Sequence, residues 1–274
     1  MARLNLTHML TGTDFSESSR GAVREALRLA AADSLRRVSV VHVTREVQDA
    51  LALRQKVMDW TSSLPEYASV GPEQVLAELE VGGVVDGLSR CVQRTGATQL
   101  LVGPRPRGFL QRWFTGGIAE QLFHSVRVPV LATRGPSEQG YKRILVPVDF
   151  SDVARASVGL AADMANETPG CEVHLLHVAQ SPPRGHDLPE LRTGLRASIE
   201  RDLVEFAQGA GIGDGASVRV EFGALQQVVP ELAEDSGYDL VCMASQSSGS
   251  FLGSTVDAVL RNTRVPMLVV YVPA

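Results

Sequence analysis

At 274 residues, the chain exceeds an average domain and is long enough for one large core or two modest ones. Hydrophobic residues make up 44% and charged ones 21%, and the net charge of −5 is spread without a basic run; this is a globular composition that argues against general nucleic-acid affinity. No apolar stretch approaches the about 20 residues that span a bilayer, the opening MARLNLTHML has no signal-peptide core, and Cys91, Cys171 and Cys242 share no disulfide or metal-site spacing, so no metal is expected and the cytoplasm is the expected compartment.

Taken in chain order, short apolar runs of strand length lie near Met9–Thr13, Val38–Val43, Ala77–Val81, Gln99–Val102 and Val128–Ala132. The polar Gly/Pro stretch from Arg134 to Tyr141 has linker chemistry. It divides the chain into a first domain at 1–134, a linker at 135–141 and a second domain at 142–274. Beyond it, Arg143–Val148 is a strand, and an Ala-rich helix capped by Ser151 or Asp152 runs to Asn166. Glu172–Val178 is the next strand. Leu191, Leu195, Ile199 and Leu203 then recur every four residues, on one face of a helix. Ser217–Phe222 alternates as a strand, Val228–Asp235 is helical, Asp239–Met243 is a buried strand, Ser254–Arg261 is helical, and Val265–Val272 is the last strand.

The two halves are copies of one pattern. Thr13-Asp14-Phe15-Ser16 returns as Val148-Asp149-Phe150-Ser151, and Val40-Val41-His42-Val43 returns at the same offset as Leu175-Leu176-His177-Val178. Glu80-Val81-Gly82 matches Glu221-Phe222-Gly223 six residues further on, and Val128-Pro129-Val130 matches Val265-Pro266-Met267 after a loss of four. Offsets that hold through elements and jump between them mark a duplication whose loops absorbed the length changes. Strands alternating with helices, and nearly continuous apolar strands, give a parallel sheet covered on both faces; with right-handed crossovers this is an α/β fold of two doubly wound, Rossmann-like domains.

At these residues the chain resembles the universal stress protein family. The resemblance rests on Pro147-Val-Asp149-Phe-Ser151, on a second strand ending Leu-His-Val, on Asp239 to Ser245, and on Gly253-Ser254 followed by Val265 to Val269. It covers nearly the whole chain, once per half, and the second half is closer. It implies a five-stranded parallel sheet in each domain and pairing of domains through their last strands, which a tandem chain can satisfy within itself as a pseudo-dimer. The apolar run Met267-Leu-Val-Val-Tyr-Val272 suits such a covered edge; the other reading is an ordinary strand with no partner. Whole chains could also form a homo-oligomer or engage a regulatory protein partner.

Many relatives bind ATP through Gly-x2-Gly-x9-Gly-Ser/Thr after the fourth strand, and a subset does not. Glycines let backbone N–H groups approach phosphate, and the Gly-Ser opens a helix whose N-terminus favours anions. ATP, with Mg, or AMP is therefore the implied ligand. The first half offers Gly103, Arg105, Gly116 and Gly117, but Pro104 and Pro106 each remove a donor. Arg105, Arg107 and Arg112 either hold an anion or form a solvated basic loop, and Trp113 and Phe114 either pack or cover a ligand. The second half offers Ala244, Gly253, Ser254 and Thr255 on a loop four residues shorter.

On the adenosine side the resemblance points to Asp14 and Val43, and to Asp149 and Val178. The other reading of both aspartates is that they steady the strand-to-helix turn. His42 and His177 read as satisfied core residues rather than catalysts. No Walker motif, Gly-x-Ser-x-Gly elbow, metal-binding His pair or Ser-Gly-Gly-x-Asp-Ser loop occurs, so a nucleotide hydrolase ranks below two other functions. Those are a regulatory stress-response protein with asymmetric nucleotide binding, better supported in the first half, and a pure interaction module without nucleotide.

Overall fold

The computed structural model describes residues 5–46, 48–103, 118–135, 137, 140–180, 189–212, 216–246 and 254–272. They fall into two compact units, one formed on Asn5–Glu138 and the other on Gln139–Gly249 with Gly253–Ala274. The first contains β1 (His8–Gly12), α1 (Glu17–Ala31), β2 (Arg37–Thr44), α2 (Ala50–Ser62), β3 (Val75–Val81), α3 (Val84–Thr95), β4 (Gln99–Val102), α4 (Ile118–Ser125) and β5 (Val130–Ala132). Its strands pair in parallel in the order β3-β2-β1-β4-β5.

The second unit contains β6 (Arg143–Pro147), α5 (Asp152–Asn166), β7 (Glu172–Ala179), α6 (Pro189–Gly209), β8 (Ala216–Phe222), α7 (Leu225–Asp235), β9 (Leu240–Gln246), α8 (Ser254–Asn262) and β10 (Met267–Val272). Its order, β8-β7-β6-β9-β10, repeats the first, again with every pair parallel. Each unit is thus a five-stranded, doubly wound sheet. The central strands read as apolar runs because both their faces are covered: Ile144, Leu145 and Val146 expose nothing, nor do Leu100 and Leu101. On β3 the outer charges are paired, Glu78 and Glu80 with Arg94 (3.1 and 3.0 Å) and Glu80 with Arg90 (3.2 Å). Such charges discourage further strand pairing at an edge.

The elements lie where the sequence places them, with four informative differences. β5 and β10 begin after Pro129 and Pro266, because proline cannot donate to a ladder; the carbonyls of both prolines instead accept N–H groups, from Leu100 and Val241 (3.0 Å each). α7 starts at Leu225 and carries Pro230 within it. The leucine row on α6 is buried only at its far end, Ile199 and Leu203, while Leu191 and Leu195 stand exposed. β9 runs to Gln246 rather than stopping at Met243.

The cores of the copies differ in polarity. Thr11 on β1 and Gln99 on β4 expose nothing, and their side-chain oxygens and nitrogen find no hydrogen-bond partner among the described residues. Their counterparts in the second unit are Val146 and Leu240. The register Met9↔Gln99 and Thr11↔Leu101 sets both polar side chains on one face of the sheet. Burying an unpaired hydroxyl costs more than the isosteric methyl. Thr11→Val is therefore expected to raise stability by about 1 kcal/mol, measured by denaturant unfolding. A loss of stability would show that the hydroxyl is satisfied in solution.

Candidate functional site

In each unit the chain winds outward through two strands and then crosses to the other side of the first, so β1 and β4, like β6 and β9, flank a topological switch point. Ligands of open α/β sheets bind in the crevice beyond the strand ends there. The repeated Asp-Phe-Ser turn leaves the sheet at this place. Asp14 Oδ1 accepts the N–H (3.0 Å) and the hydroxyl (2.5 Å) of Ser16, and Asp149 Oδ1 accepts the same two groups of Ser151 at the same distances. The serine then caps the helix that follows, its Oγ accepting from Ser19 N–H in the first unit and Ala154 N–H in the second (3.3 and 3.1 Å).

Between aspartate and serine the phenylalanine is forced into the left-handed region. Phe15 and Phe150 both have φ 63°, and they are the only non-glycine residues with positive φ among the described residues. A bulky residue there is strained and persists only when its surroundings fix it. Here they do so twice over. Phe15 leans on the His42 ring at 4.7 Å and meets Trp60 of α2 edge-on at 5.8 Å; Phe150 leans on His177 at 4.8 Å and meets Phe206 of α6 at 5.7 Å. His42 Nδ1 donates to the Thr13 carbonyl (2.8 Å) and His177 Nδ1 to the Val148 carbonyl (2.9 Å), which orients both rings. The histidines are thus satisfied packing residues. The phenylalanines were given no role by sequence reasoning, although their recurrence inside both copies of one motif was the available signal.

Asp14 and Asp149 are exposed, and their hydrogen bonds to serine in the turn run through Oδ1, so each can steady the turn and still present a carboxylate outward. Burial tends to raise the Asp14 pKa, but hydrogen bonds from Ser16 and Ser19 outweigh it and hold the carboxyl below its ordinary value. Gly103 belongs to the same crevice: a Cβ built there would stand 2.3 Å from the Ser18 carbonyl oxygen, so the backbone beyond β4 lies directly on the first turn of α1. Val43, on β2, turns its side chain toward α3, where a Cβ on Gly87 would meet it at 2.9 Å. In the second unit Val178 instead lines a cavity of about 530 Å³ with Gln180, Gly223, Ala224, Leu225 and Gln226.

Ala244 lies inside the parallel ladder, paired with Val270, because β9 and β10 continue to Gln246 and Val272. Ser254 opens α8, followed by the exposed Thr255. Arg105, Gly116, Gly117 and Gly253 lie outside the described residues, as do Pro104, Pro106, Arg107, Arg112, Trp113 and Phe114. Among the described residues no three of His, Cys, Asp and Glu gather to hold a metal ion, and no helix is long and apolar enough to cross a membrane.

Comparison with known proteins gives the profile of the universal stress protein family twice, over residues 5–134 and 140–271. Universal stress protein G of Shigella flexneri is 29% identical over 142 residues, 47% of this chain and 99% of that protein. A universal stress protein from Archaeoglobus fulgidus DSM 4304 has a TM-score of 0.68 at 22% identity, covering 97% of this chain and 98% of that one. A functionally unknown protein from Pseudomonas aeruginosa PAO1 reaches 0.71 at 16% identity, covering 97% and 92%. At such identities the solved structures speak for the fold alone.

The Asp14 turn carries a pH signature. A carboxyl whose pKa is depressed in the folded state lends stability above its unfolded value of about 4 and loses it as pH falls through the folded value. The stability gap between the natural protein and Asp14→Asn should therefore close as thermal melts are taken from pH 6 down to pH 3. A gap constant across that range would show that the ionised form is not what the turn selects.

Proposed function

Because the chain belongs to the universal stress protein family and carries that family's domain twice, we propose that it is a cytoplasmic stress-response regulator whose first domain alone holds a nucleotide, ATP with Mg or AMP. The observation that carries this reading is the unequal length of the fourth strands. β4 ends at Val102 and the chain leaves the sheet at Gly103, whereas β9 continues three residues past the equivalent position. Backbone that a phosphate-binding loop would offer in the second unit is strand instead, with Ala244, Ser245 and Gln246 in register with Val270, Tyr271 and Val272.

Asp14 and Gly103 fit the adenosine and proximal phosphate side, and Val43 belongs to it on the resemblance alone. Asp14 presents an exposed carboxylate, which suits ribose or base donors, and Gly103 permits the close backbone approach that phosphate oxygens require. When bound, the nucleotide would supply a signal of energy state rather than a bond to break, and the chain's residues would bind and orient it. Arg105, Gly116 and Gly117 belong to this proposal on the resemblance alone, as do Gly253, Ser254 and Thr255 for a smaller anion in the second domain. So does pairing of the domains through their last strands.

One observation favours a second reading, an interaction module without nucleotide: the Asp-Phe-Ser turn is fully explained by its own hydrogen bonds and ring packing. The two readings part in one experiment. Purified protein should release ATP or AMP on denaturation, or its melting temperature should rise in millimolar Mg-ATP. No released nucleotide and no thermal shift would remove the binding reading and leave the interaction module.

A further inference from the structure

The stretch from Gly82 to Gly96 matches that from Gly223 to Gly237 without a gap, and Gly96 and Gly237 close the two helices at φ 66° and 65°. In the first copy this helix, α3, is drawn onto the sheet. A Cβ on Gly87 would meet Val43 Cγ1 at 2.9 Å and Glu80 Cβ at 3.2 Å, and Val43 and Glu80 are register partners on β2 and β3. Arg90 and Arg94 of α3 tie it to Glu80 (3.2 and 3.0 Å), and Arg94 also reaches Glu78 (3.1 Å).

The second copy reverses each of these contacts. Val228 stands at the place of Gly87, and the exposed Glu231 and Asp235 replace Arg90 and Arg94. Glu221, the counterpart of Glu80, is bonded along its own strand by Arg219 (2.8 Å). The Val228 side chain packs back on the turn, 3.0 Å from a Cβ built on Gly223. A helix that lacks both the glycine contact and the cationic clamp leaves room beside β7, and there lies the cavity of about 530 Å³.

This cavity is not the crevice of the switch point. That crevice lies between β6 and β9, whereas Val178 and Gln180 lie at the end of β7 and the other lining residues form the turn from β8 into α7. Its volume falls within the range of small-molecule sites, about 300–1,000 Å³. Val178, Ala224 and Leu225 give it apolar walls, Gln180 and Gln226 give it carboxamides, and among the described residues none that line it is charged. Each carboxamide sets a donor beside an acceptor, the complement of an amide, lactam or amino-heterocycle edge. We propose that the second domain binds a small, uncharged, planar molecule with such an edge in the cavity between β7 and the start of α7. The first domain closes the equivalent place by pressing α3 on Val43. This site does not rest on nucleotide binding by the first domain.

Methyl NMR on the full chain tests the proposal, with adenine, uracil and nicotinamide as probes. At least one should shift the Val178 and Leu225 methyls saturably at millimolar concentration. Replacing both exposed glutamines, Gln180→Ala with Gln226→Ala, should weaken that binding by about tenfold or more. Benzoate, planar but anionic, should bind about tenfold more weakly than the best probe. Ala224→Trp, which fills the cavity, should abolish binding; if that variant does not fold, the glutamine pair decides. No probe shifting those methyls, undiminished binding to the glutamine variant, or benzoate bound as tightly would each overturn the proposal.

Discussion

Everything beyond the end of the first strand of each domain hangs on one carboxylate oxygen. Asp14 and Asp149 each gather two donors from the serine two residues on, and that pair of bonds bends the chain through a left-handed phenylalanine into the next helix. The strain is offset by burying the ring against a histidine whose own Nδ1 is tied to the first strand's terminal carbonyl region. Aspartate, phenylalanine, serine and histidine form one device, and the device occurs twice with distances that agree within about a tenth of an ångström. It sets where α1 and α5 start, and therefore where the crevice opens.

Around that constant the copies have diverged in ways that matter physically. The second domain has an apolar core at Val146 and Leu240 and longer fourth and fifth strands, so its sheet is extended at the position where a phosphate loop would begin. The first keeps a short β4 and a glycine pressed on α1, and buries Thr11 and Gln99 without partners among the described residues. Where a duplicated fold need hold only one nucleotide, the second copy is free to diverge.

Much of this was legible in the sequence. Strands and helices announced themselves by period and by punctuation, and the duplication fixed the topology, because one copy's Asp-Phe-Ser and Leu-His-Val marked the other's. What stayed hidden depends on backbone conformation or on distant partners. Ala244-Ser-Gln has no glycine or proline to stop a strand, so the extension of β9 could not be told from a loop. Phenylalanine is among the last residues expected at positive φ, so its role was invisible. Glu25, buried on α1, looks like an ordinary helix acid until the Ser137 amide it holds, 112 residues away in sequence, is brought beside it.

The asymmetry of the two crevices is best tested by calorimetric titration of the full chain with Mg-ATP. The proposed reading, in which only the first domain binds, predicts a stoichiometry of one nucleotide per chain, abolished by Asp14→Ala and untouched by Asp149→Ala. Two equivalent sites, or a single site lost with Asp149 and retained without Asp14, would contradict it.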